Sequence, residues 1–159
     1  MSAYSRRAWL SAAGAVCLTQ GRALADAGTH LQLITAKNND LRDLSVSDLR
    51  QAYRGKQITL AGVKIIPFNH PPRTPDRVAF DRIVLGMSPD EVASYWVDQK
   101  IRGGDSPPRT IDSVALLVRV VAALPGAFAY VREGFSSPDL KVVSLEGRMP
   151  GDPRYPLVY

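Results

Sequence analysis

The stretch that decides the fold is Val63–Phe80, VKIIPFNHPPRTPDRVAF. Its first seven residues, Val63 to Asn69, are mostly apolar and β-prone, so they read as one strand covered on both faces. Pro67 lacks an N–H, which fits an edge position or a strand end. Thr74-Pro75-Asp76 then starts a helix, with a hydroxyl at the N-cap and proline in the first helical position. Ala79, Phe80, Ile83, Val84 and Met87 follow at helical spacing. A covered strand that passes through a polar loop into a helix is a building unit of α/β folds.

The same alternation extends outward. Leu31–Ala36 (LQLITA) alternates in part and reads as a strand. Ser45 caps a short helix, with Asp48 three residues on, Val46, Leu49 and Tyr53 on one face and Gly55 as the stop. Ser88-Pro89-Asp90-Glu91 matches a capping box. Val92, Tyr95 and Trp96 give the following helix its apolar face, which reads as core rather than as a stacking platform. Residues 102–108 (RGGDSPP) form a loop, and Thr110 caps a third helix through about Ala123, apolar enough to be buried against the sheet. Pro125-Gly126 ends that helix. Ala127–Val131 and Leu140–Leu145 read as strands, and the tail from Gly147 as irregular. The predicted fold class is α/β, a small mixed sheet flanked by helices, in one domain over residues 28–159.

Residues 1–27 read as an export signal peptide: Arg6 and Arg7, then an uncharged apolar stretch from Ala8 to Thr19, then Ala23-Leu24-Ala25 before Asp26. Cleavage falls between Ala25 and Ala27. Ser5-Arg6-Arg7-Ala8-Trp9-Leu10 resembles the twin-arginine motif, with Trp where Phe is preferred; a general secretory signal with two chance arginines is the alternative. The residues before Cys17, Gly14-Ala15-Val16, do not suit a lipidation signal. The apolar run is too short for a mature span, so no stable membrane insertion is expected after cleavage. The expected location is periplasmic or otherwise exported.

The chain of 159 residues carries a net charge of +5 and one cysteine. Arg6, Arg7, Arg22 and Asp26 lie in the signal, so the mature charge falls to +3, and Cys17 goes with it. Scattered basic residues at that net charge do not support a nucleic-acid partner. No nucleophile elbow, zinc-protease, P-loop or dinucleotide motif is present. No catalytic residue, metal ligand or cofactor is expected. The candidate ligand residues are Asn69, His70, Arg73, Thr74 and Asp76, where the strand ends and the helix begins. Ligands of open α/β sheets bind at such places. Arg73 adds a permanent cation and Thr74 a hydroxyl. The bland alternative is a capped helix start with a solvated arginine. The Arg102–Ser106 loop faces the same site or is a plain connector.

Several stretches, in order and spacing, resemble phosphate-type periplasmic solute-binding proteins. Leu44–Lys56 (LSVSDLRQAYRGK) is similar to their L-S-x-x-x-L-x-x-I-Y-x-G-K segment. Ile65–Asn69 resembles the strand before their ligand loop, and Phe80–Trp96 a stretch of short members. Pro125–Val131 (PGAFAYV) resembles their P-G-A-I-G-Y-V strand, and Tyr155-Pro156-Leu157 a Y-P-L near the lobe crossing. The resemblance implies one lobe of a type 2 periplasmic binding protein, non-enzymatic, binding phosphate or a similar small anion as part of an ABC uptake system. An ABC permease or another periplasmic protein would be its partner. The family's R-x-D-x-S-G-T ligand loop is replaced here by N-H-P-P-R-T-P-D, with Arg73 and Thr74 standing in for part of it. Two other classes stay open: a ligand-free interaction or sensory module of the same fold, and an uncharacterised hydrolase.

Overall fold

The computed structural model describes residues 29–159; the expected export segment lies outside them. In chain order the elements are β1 (Leu31–Ala36), β2 (Asp43–Leu44), α1 (Val46–Tyr53), β3 (Thr59–Leu60), β4 (Val63–Lys64), β5 (Ile66–Asn69), α2 (Pro75–Phe80), a π-helical turn (Asp81–Leu85), α3 (Pro89–Ile101), β6 (Arg109–Thr110), α4 (Val114–Ala123), β7 (Ala127–Arg132) and β8 (Leu140–Leu145). The main sheet runs β2-β8-β1-β7-β5-β6, and β3-β4 is a separate hairpin. β1 is antiparallel to β7 and β8, whereas β5 is parallel to β7 and β6. This is the mixed sheet flanked by helices that the sequence predicts.

Side-chain alternation across the sheet sorts the core into two. Phe128 and Tyr130 of β7 face one side, with Leu31, Leu33, Tyr53 and Phe80. Ala127, Ala129 and Val131 face the other, with Ile34 and with Leu117 and Val121 of α4. All six β1 residues are buried, which is why their polarity alternates only in part. Tyr53 touches the rings of Phe80, Phe128 and Tyr130 at 4.5, 5.5 and 5.9 Å. Burying each large apolar side chain stabilises the fold by about 1.5–3 kcal/mol.

Local signals placed the helix starts. Ser45 accepts the Asp48 N–H at the head of α1. At α3, Ser88 accepts the Glu91 N–H while Glu91 accepts the Ser88 N–H, a complete capping box.

Five sequence expectations need correction. Val63–Asn69 is two strands, because Ile65 N–H turns to Ile58 O while Ile66 N–H turns to Gly126 O. Pro67 is interior to the sheet, but β6 pairs with β5 only at Phe68 and Asn69, so the missing N–H interrupts no ladder. Helical spacing through Met87 hides a change of pitch at Asp81, closed by Gly86 in the left-handed conformation. Thr110 belongs to β6, and Ser113 caps α4. Of that helix only Leu117 and Val121 are fully buried, while Leu116 and Val114 are exposed. The tail is irregular, as expected, and it is docked: Thr29 and Tyr159 exchange backbone hydrogen bonds, and Tyr155 and Leu157 enter the core.

Gly126 is required where it stands. Its φ is +78°, and a Cβ there would lie 2.0 Å from Lys64 O.

Candidate functional site

The loop between β5 and α2 begins where Asn69 leaves the sheet. Asn69 is 2% exposed, and its Oδ1 accepts the His70 N–H at 3.0 Å and the Tyr130 hydroxyl at 2.5 Å. His70 is also buried, and its Nε2 donates to Tyr130 O at 2.7 Å. A carbonyl only accepts, so the proton sits on Nε2. Burial pushes the Tyr130 hydroxyl well above its ordinary pKa, which keeps it a donor. Its ring stacks on Phe80 at 3.9 Å. Asn69 and His70 therefore meet on one residue beneath the loop.

The other three predicted residues spread outward. Arg73 sits at φ +67° and pairs with Asp90 at 2.7 Å, with both side chains largely in solvent. The Thr74 hydroxyl donates to Pro71 O at 2.9 Å and makes no cap bond to α2. Asp76 turns to the opposite side, where its Oδ1 accepts from Arg132 Nε at 2.7 Å and from the Tyr159 hydroxyl at 2.8 Å. Each of the five thus holds a hydrogen bond within the chain. They do not converge on one point.

Residues that the sequence reading passed over lie at the centre of the neighbourhood. Arg77 Nε donates to Asp81 Oδ2 at 2.5 Å, and Arg77 Nη1 donates to His70 O at 3.2 Å. The pair is buried, at 8% and 3% exposure. Burial raises the Asp81 carboxyl above its ordinary pKa, against the opposing pull of the Arg77 guanidinium. Asp81 Oδ1 has no hydrogen-bond partner among the described residues. One signal was available in the sequence: Arg77 and Asp81, four apart, fall on the same stripe as Phe80 and Val84.

A cleft of about 230 Å³ opens beside this pair, with Arg73, Arg77, Asp81, Trp96 and Thr110 among its walls. Pro107 and Pro108 also line it, but no residue from 102 to 106 does. That loop turns instead toward α1. Lys56 pairs with Asp105 at 3.0 Å, and a Cβ on Gly55 would come 2.8 Å from Asp105 Cβ. Among the described residues there is no cluster of three or more His, Cys, Asp or Glu able to hold a metal ion.

This sheet order, with β5 feeding a loop and helix, can be set against known structures. An ABC-type phosphate transport receptor from Vibrio cholerae superposes with a TM-score of 0.61 at 17% identity, over 78% of this chain and 49% of that one. The fold is that of about half of such a protein, a mixed sheet flanked by helices. PstS from Borrelia burgdorferi gives a TM-score of 0.59 at 16% identity, over 78% of this chain and 50% of that one. A phosphate-binding protein from Stenotrophomonas maltophilia gives 0.53 at 19%, over 78% and 41%. The chain spans about half the length of these proteins or less. They are binding proteins rather than enzymes. No protein-family model matches the sequence, and no curated protein matches it. Among the described residues no helix is long and apolar enough to cross a membrane.

Proposed function

We propose that this chain is an exported, non-enzymatic solute-binding domain, equivalent to one lobe of a periplasmic binding protein, that takes phosphate or a similar small anion. In this reading residues 1–27 direct export, residues 28–159 form the domain, and an ABC permease or another periplasmic protein is the partner. The observation that carries the reading is Arg73, on a loop at the carboxyl end of β5 in a fold shared with phosphate-binding proteins. Its exposed pairing with Asp90 is worth at most about 1 kcal/mol, so an anion can replace Asp90 at little cost. Thr74 stands beside it as a second contact, while Asn69, His70 and Asp76 hold the loop in place. A left-handed φ at a non-glycine costs about 1–3 kcal/mol and is a recurrent mark of ligand loops. Calorimetric titration with phosphate, for the wild type and Arg73→Ala, tests the reading.

A second reading has its own support. All five candidate side chains are hydrogen-bonded within the chain. That state suits a ligand-free interaction or sensory module which keeps the fold. The same titration separates the two.

A further inference from the structure

We infer that the cleft between the end of α1, the outer edge of β5 and residues 106–109 binds an organic anion, an acidic head group on an apolar body. The inference goes beyond the phosphate reading and does not rest on it, because none of Asn69, His70, Arg73, Thr74 and Asp76 lines this cleft.

The cleft holds about 420 Å³, within the ~300–1,000 Å³ of small-molecule sites. Charge is the first observation. Lys56, Lys64 and Arg109 line the cleft, all three are exposed, and none of its lining residues is Asp or Glu. Lys56 pairs with Asp105 at 3.0 Å, whereas Lys64 and Arg109 enter no ion pair among the described residues. Positive charge in excess along a low-dielectric wall raises the local concentration of anions. The wall is the second observation. Ile66, Pro67, Pro108 and Leu124 supply apolar lining, and Leu124 keeps 42% of its surface in solvent. An inorganic anion leaves that surface wet, whereas an apolar body covers it. The third observation is the backbone. β6 pairs with β5 only at Phe68 and Asn69. Before them, the N–H groups of Ile65 and Ile66 go to Ile58 O and Gly126 O, and Pro67 has none. An added peptide strand would find no donor there, so the occupant is held by side chains rather than by strand pairing. The walls are also fixed before a ligand arrives. A Cβ on Gly55 would meet Ser106 O at 3.1 Å, and Gly126 sits against the Lys64 carbonyl. Walls set in advance reduce the ordering cost of binding.

Phenylpropanoate, its neutral amide phenylpropanamide, and acetate are the probes: the first has both charge and ring, and each control lacks one. Each is titrated into the purified, isotope-labelled protein while amide shifts are followed. Phenylpropanoate is expected to shift the amides of Ile66, Ser106 and Leu124 saturably, binding about tenfold or more tighter than either control. Added salt should weaken phenylpropanoate and leave phenylpropanamide unchanged. The double variant Lys64→Gln, Arg109→Gln should lower the affinity for phenylpropanoate to that for the amide, with the rest of the spectrum native. The comparison of acid with amide needs no variant, so it decides even where the double variant unfolds. Equal affinity for acid and amide would overturn the role of the cations. Acetate binding as tightly as phenylpropanoate would overturn the role of the apolar wall. Absence of shifts at these amides from phenylpropanoate at about 10 mM, a very weak affinity, would overturn the site. Arg73→Ala should leave the phenylpropanoate shifts unchanged, and phosphate added to a separate sample reads the phosphate proposal alone.

Discussion

The Tyr130 hydroxyl donates to Asn69 Oδ1 at 2.5 Å across 61 residues of sequence, and both groups are buried. With the His70–Tyr130 bond it ties the loop after β5 to the middle of β7. The loop that carries Arg73 is therefore anchored from below, and only its outer edge faces solvent.

Tyr130→Phe measures that anchor. Asn69 Oδ1 keeps its bond from the His70 N–H, so the loss is that of one hydrogen bond, about 1–1.5 kcal/mol. Denaturant unfolding should show a lower midpoint with an unchanged slope.

The buried pair of Arg77 and Asp81 should behave unequally under single and double substitution. Arg77→Ala leaves the Asp81 charge and the His70 carbonyl without their donor, and should cost about 3–5 kcal/mol. The double variant Arg77→Met, Asp81→Leu removes both charges and should recover most of that loss. Equal destabilisation by the single and the double variants in denaturant unfolding would show that the pair is not coupled.

The α3 capping box gives a pH signature. The Ser88 N–H bond holds the exposed Glu91 carboxyl below its ordinary pKa of 4.5. A depressed folded pKa adds stability above the unfolded value and loses it as pH falls through the folded value. The Tm gap between wild type and Glu91→Gln should be widest near neutral pH and should narrow as the pH falls below the ordinary carboxylate range.

Gly126→Ala tests the turn into β7. The added methyl meets Lys64 O at 2.0 Å in a left-handed backbone, so about 2–4 kcal/mol should be lost in thermal or denaturant unfolding.

What could be read in advance was whatever is settled within a few residues. Ser45 with Asp48, and Ser88 with Glu91, state their helices locally, and both caps form. The β1, β7 and β8 segments carry enough apolar character to be recognised alone. β6 does not: Arg109 and Thr110 are two exposed polar residues that become a strand only beside Phe68 and Asn69. The split at Ile65 also has a remote cause, since Ile58 and Gly126 each claim one of two adjacent N–H groups. The candidate site divided in the same way. The position of the loop followed from strand, proline and helix start. The partners of its side chains did not, because Asp76 reaches Tyr159 and His70 reaches Tyr130, 83 and 60 residues away. Arg77 and Asp81 share the stripe of Phe80 and Val84, which sets them side by side in the sequence, but their burial follows only from what packs over that stripe.

The most direct measurement is a phosphate titration of the wild type beside Arg73→Ala. Saturable binding is predicted for the wild type, weakened at least tenfold by the substitution. The Tm should move by less than about 4 °C, because an exposed ion pair contributes little. Folded wild-type protein that binds neither phosphate nor sulfate at millimolar concentration, or Arg73→Ala protein that binds as well as the wild type, would contradict it.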